Sequence, residues 1–170
     1  MKKILFALSC IATLFAPGSD ASAESGTATA TIGKAISITV DSINPPTDTH
    51  GDLGFGYIIP GTGGTVTVPP AGEITTSGGL TLTTQLPTGA AQFKVTGEAG
   101  FYYSISMDAT TTISNGSGGS MNVTSLEHNA TGILDGGGEE IFRVGGVLSV
   151  LSGQATGSYT GTFNVDAAYN

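Results

Sequence analysis

Residues 157–170 read GSYTGTFNVDAAYN, and their side chains alternate without a break. Gly157, Tyr159, Gly161, Phe163, Val165, Ala167 and Tyr169 share one parity. Ser158, Thr160, Thr162, Asn164, Asp166, Ala168 and Asn170 share the other. A period of two, apolar on one side and almost wholly polar on the other, belongs to a β-strand with one buried face. The backbone donors and acceptors of a strand this long need partners. The strand is therefore expected to sit inside a sheet or to be held by another chain.

The same alternation governs residues 26–40. Ala28, Ala30, Ile32, Ile36, Ile38 and Val40 share the even face, interrupted only by Lys34, while Thr27, Thr29, Thr31, Ser37 and Thr39 share the odd one. This predicts one long strand or two short ones joined at Gly33-Lys34. Pro45-Pro46 removes two backbone donors and excludes a central strand from the loop 41–52. Residues 53–60 predict a short strand with glycines, and Gly61-Thr62-Gly63-Gly64 turns it into a strand at 65–68. Further strands are predicted at 80–83 and 121–126, the latter with Met121, Val123 and Ser125 on one side. Residues 91–96 and 101–107, joined by the turn Gly97-Glu98-Ala99-Gly100, predict a hairpin. Residues 141–150 predict two short strands, or one with a glycine bulge at Gly145-Gly146.

No stretch after residue 23 keeps a helical period over three turns. About eight to ten short strands at turn-separated spacing predict an all-β sandwich or barrel, and the length suits a sandwich. Threonine suits a pleated surface through its branched Cβ, and glycine suits the turns.

Residues 1–23 predict a secretory signal peptide. Met1-Lys2-Lys3 is basic, residues 4–16 are largely apolar but too short to span a bilayer, and Ala21-Ser22-Ala23 supplies small residues for cleavage. Residues 24–170 then form one domain, with 24–40 as its N-terminal or donor strand and 157–170 as its C-terminal strand. Cys10 is the only cysteine, so the processed chain would hold no disulfide, thiol nucleophile or cysteine-based metal site. Processing would reduce five Lys and Arg to three and 13 carboxylates to 12, taking the formal charge from −8 to −9. That balance argues against nucleic acid and anionic membrane surfaces as partners.

Few residues suggest chemistry. Asp48, His50 and Asp52 sit close together in one loop, and Asp135, Glu139 and Glu140 in another. Oxygen-rich loops bind calcium and histidine suits zinc, but neither group has a known ligand spacing. A solvated polar loop is the plain alternative for both, and no metal or other cofactor is expected. His50 and His128 are the only histidines, and Ser117 lacks the elbow of a nucleophilic serine. No catalytic constellation emerges, and an enzyme is not expected.

Three blocks, LGFGYIIPGTGGTVTVPPAG, FKVTGEAGFYYSISM and VGGVLSVLSGQATGSYTGTFNVDAAYN, resemble the bacterial secreted domain of unknown function 4402 family (DUF4402). More distantly, the Phe-Gly strand and the closing Gly-x-Tyr strand are similar to spore-coat-U-like and archaic chaperone–usher pilin subunits. The pilins often carry a cysteine pair, which is absent here. The resemblance implies an immunoglobulin-like antiparallel sandwich that lacks a strand, its groove filled by β-augmentation from the next subunit. It implies Ala28, Ala30, Ile32 and Ile36 as a donor face, and Gly157, Tyr159, Phe163, Val165 and Tyr169 as a C-terminal assembly strand. The expected role is a non-catalytic structural subunit of a cell-surface fibre or pilus, exported through the periplasm. Its partners would be like subunits, with a chaperone and an usher. The competing reading is a self-contained secreted or surface binding module or adhesin whose N-terminal strand pairs within its own domain. A secreted hydrolase would need close carboxylates or a cleft around His50 or His128.

Overall fold

Valine, isoleucine and threonine, spaced by glycine turns, form eleven strands and no helix among the described residues. The computed structural model describes residues 27, 29–42 and 51–170; the predicted signal peptide, Ala28, Asp48 and His50 lie outside them. The chain divides into two compact units, Met1–Ile32 and Gly33–Asn170. In the first, residues 27 and 29–32 have no regular secondary structure and are exposed.

The second unit is an all-β antiparallel sandwich. Its strands are β1 (Ser37–Val40), β2 (Gly54–Ile59), β3 (Gly64–Val68), β4 (Thr75–Gly78), β5 (Thr81–Gly89), β6 (Ala91–Thr96), β7 (Tyr103–Met107), β8 (Thr111–Ser114), β9 (Ser120–His128), β10 (Glu139–Val150) and β11 (Val165–Tyr169). The expected count of eight to ten falls short because β4 and β8 consist almost wholly of Thr, Ser and Gly. Polar edge strands carry no apolar alternation to read.

β10 organises the sheet. One of its edges pairs β6 through residues 139–144 and then β3 through 146–150, while β9 pairs the opposite edge. β1 extends the sheet beyond β6, β4 beyond β3 and β8 beyond β9. The predicted glycine pair sits where β10 passes from β6 to β3. A Cβ at Gly145 would collide with the Val68 carbonyl oxygen, and one at Gly146 would crowd Leu126 and Val123. β10 is thus one continuous strand of 12 residues.

Its even face is the core. Phe142, Val144, Leu148 and Val150 are buried there, packed with Val66, Val68, Val95 and Val123. Phe93 stacks on Phe142 with ring centroids 5.6 Å apart.

Three local expectations are corrected. Ser125 does not share the inward side of its strand. It is the one described non-glycine residue with positive φ, 51°, and it marks a bulge in β9 opposite Gly145–Val147. The extra residue reverses parity, so Ser125 is exposed and Leu126 is buried. Residues 91–96 and 101–107 do not form a hairpin: β6 pairs β1 and β10, while β7 pairs β11. The turn between them crosses between layers, which alternation alone does not distinguish from a hairpin. Of the strand expected over residues 26–40, the described residues are regular only over Ser37–Val40.

Candidate functional site

The closing segment earns its place by pairing. From residue 160 to 170 it runs antiparallel to residues 114–102. Thr160 and Ser114 exchange two backbone bonds of 2.9 and 3.0 Å. Asp108 N–H donates to Asn164 O, and the Asp108 carboxylate accepts from Asn164 N–H at 2.8 Å. β11 then pairs β7 from Val165↔Met107 to Tyr169↔Tyr103.

Burial follows the predicted parity. Tyr159, Phe163, Val165, Ala167 and Tyr169 are partly buried, whereas Thr160, Thr162, Asn164, Asp166 and Ala168 are exposed. The Phe163 ring meets Phe93 edge-on at 6.2 Å. The Tyr169 hydroxyl accepts from Glu98 N–H at 2.6 Å and donates to Lys34 O at 2.8 Å. Phe163, Val165 and Tyr169 therefore face the unit's own core. Gly157 and Tyr159 lie elsewhere, on the wall of a cleft.

That cleft has a volume of about 260 Å³. One wall is β2 with Leu86 of β5; the other is residues 154–159; Ile113, Met121, Leu148 and Val150 form the floor. The Tyr159 hydroxyl braces the second wall, donating to Ala155 O at 2.7 Å and accepting from the Gln154 side-chain amide at 2.9 Å. β2 pairs β5 along one edge, and no strand among the described residues pairs its other edge. Phe55, Tyr57 and Leu86 were not singled out in the sequence. Their signal is faint, because GFGYII breaks its own alternation and the register of β2 on β5 shifts between Phe55 and Tyr57.

Of the predicted donor face, Ala30 and Ile32 are exposed, Ile32 at 96%. Ile36 packs instead against the core of the second unit. β1 follows it onto β6, where the Ser37 and Thr96 hydroxyls are 2.9 Å apart.

The loop carboxylates each have separate partners. Asp135 Oδ1 accepts from Gly137 N–H and Glu139 N–H at 2.8 and 2.9 Å, and these amides, Glu139 first, hold its pKa below the usual carboxylate range. Glu139 pairs with Lys94 at 2.8 Å, and that hydrogen bond raises the lysine pKa. Glu140 accepts from the Tyr103 hydroxyl and from Thr131 N–H, both at 2.6 Å. Burial, then that carboxylate, pushes the Tyr103 hydroxyl pKa well up. Among the described residues no three His, Cys, Asp or Glu side chains are grouped to hold a metal ion. His128 accepts from Ala130 N–H at 3.2 Å and sets its ring edge-on to Phe142. Among the same residues no helix is long and apolar enough to cross a membrane.

What the site can do follows from its backbone. It offers a strand edge that no described strand pairs, beside an apolar floor. Comparison with known proteins adds one match: residues 46–169 fit the family described as a domain of unknown function (DUF4402). The match runs from just before β2 through β11 and leaves residues 27–42 outside it. No curated protein and no solved structure matches the chain.

Proposed function

This chain belongs to the DUF4402 family, and from that premise we propose that it is a non-catalytic structural subunit of a bacterial cell-surface fibre or pilus, assembled by β-strand donation. The observation that carries this reading is the state of residues 29–32. They alternate like a strand, pair with nothing regular and leave Ile32 96% exposed. Exposed isoleucine is costly: burying such a side chain is worth about 1.5–3 kcal/mol. A like subunit that accepts this segment recovers that free energy. Donation from head to tail is a contact that does not close, so it propagates a fibre. The reading places the protein outside the cytoplasm, exported through the periplasm, with a chaperone and an usher as the partners it calls for.

Deleting residues 24–31 is expected to leave a folded subunit that no longer forms heat- and detergent-resistant ladders on a gel. Normal assembly of the deletion would exclude donation from this end.

The second reading, a self-contained binding module or adhesin, draws on β1. Part of the N-terminal alternation is satisfied at home, with Ile36 and Ile38 packed on the unit's own core. It requires a sharply unfolding monomer with no ladders.

A further inference from the structure

Among the described residues no strand covers the free edge of β2. Natural sheets protect free edges with charge, proline or a covering segment. GFGYII carries neither charge nor proline, and Tyr57 and Ile59 are 47% and 51% exposed. The cleft beside it is uncharged throughout its lining, on a chain with 13 carboxylates and five basic residues. A charged strand entering it would lose hydration with no counter-charge to meet. Residues 27–32, TATATI, are also uncharged. Six residues span ~20 Å as a strand, the length of β2 itself.

Given the strand-donation reading above, on which this rests, we infer that the cleft between β2 and residues 154–159 is the acceptor. Residues 27–32 of a second copy add there as a strand along the free edge of β2. Alternate side chains of an added strand point one way. In one of its two orientations Ala28, Ala30 and Ile32 meet the floor of Ile113, Met121, Leu148 and Val150, and the threonines face solvent. Small alanines let the added backbone lie close to a shallow floor. The match in charge and length singles out this segment over a partner of unknown chemistry.

The test is site-directed crosslinking in the full chain, with Cys10→Ser throughout. Donor chains carry Ala30→Cys or Ile32→Cys. Acceptor chains carry Phe55→Cys or Ile58→Cys on β2, whose side chains line the cleft on the same face as the donor's Ala30 and Ile32, or Thr76→Cys on β4 as a control edge. A disulfide needs Cα atoms within ~7 Å, so a crosslink reports strand adjacency. Disulfide-linked dimers of donor with β2 acceptors, and none with Thr76→Cys, are expected. Ladders that persist while crosslinks form only at Thr76→Cys would overturn the cleft as acceptor and leave strand donation standing. Absence of both ladders and crosslinks would overturn both. A chain carrying Ile32→Cys and Ile58→Cys together that closes on itself as a monomer would overturn donation between copies.

Discussion

Gly145 has no room for a methyl group. Its missing Cβ faces the Val68 carbonyl where β10 changes partners, so backbone rather than a movable side chain would have to yield. Gly145→Ala is expected to lower stability by about 1–3 kcal/mol, the usual cost of overpacking. The check is a urea titration whose midpoint falls at unchanged slope. Asp135 offers a pH-dependent counterpart. Its folded pKa is depressed by the Glu139 and Gly137 amides, so its contribution is present above the unfolded carboxylate pKa and lost as pH falls through the folded one. Asp135→Ala should therefore be less stable than the parent at neutral pH, with the gap narrowing under acid. Asp135→Asn, which keeps an acceptor oxygen for the Gly137 and Glu139 amides, should keep much of the parent's stability at neutral pH. Thermal melts of the three from neutral to acid pH decide it; a gap that widens in acid would exclude this role. The glycine pair was legible as a break in the apolar run, but the bulge expected there lies in the partner strand: the extra residue belongs to β9, at Ser125, and not to β10. The Asp135 contacts were not, since an acidic loop residue looks the same whether it caps amides, binds an ion or faces water.

At the scale of elements, the closing strand was the most legible part of the chain. Its parity at 159–169 reappears in burial at every position except Gly161, which has no side chain to bury. Its partner was not legible. Alternation says that one face is buried; it does not say beside which strand. Residues 91–107 show the consequence, since a turn between two alternating runs predicts a hairpin and the chain instead sends β6 and β7 to different sheets. The end of the closing strand is tied by Tyr169, whose hydroxyl bridges Glu98 N–H and Lys34 O. Tyr169→Phe removes both bonds and leaves a backbone donor without its acceptor. A loss of about 1–3 kcal/mol is expected, with faster amide exchange at Glu98. Unchanged exchange there would show that the bridge does not hold the segment.

At the scale of the molecule, charge and assembly pull in opposite directions. Carboxylates outnumber basic residues 13 to five, so copies repel one another. The proposed contact itself is uncharged on both sides. Added salt screens the repulsion and takes nothing from the contact, with a Debye length of ~10 Å at about 0.1 M and ~3 Å at about 1 M. Ladder formation should therefore quicken as salt rises. Slower assembly in salt would mean that ion pairs, not an apolar strand contact, join the copies.

By itself the sequence determined which stretches are strands with one buried face, where glycine and proline interrupt them, and that the described residues would hold no helix. Each of these follows from properties of single residues and their near neighbours: branched Cβ atoms, φ freedom, missing donors and a period of two. Tertiary structure alone decided that β10 would serve two partners along one edge, that Leu126 rather than Ser125 would point inward, and that Ile36 would turn to the core. It alone left β2 with no second partner strand among the described residues, beside a cleft lined by Leu148 and Val150. Those outcomes depend on hydrogen bonds and contacts between residues far apart in the chain, and a strand's local pattern is the same whichever neighbour it finds.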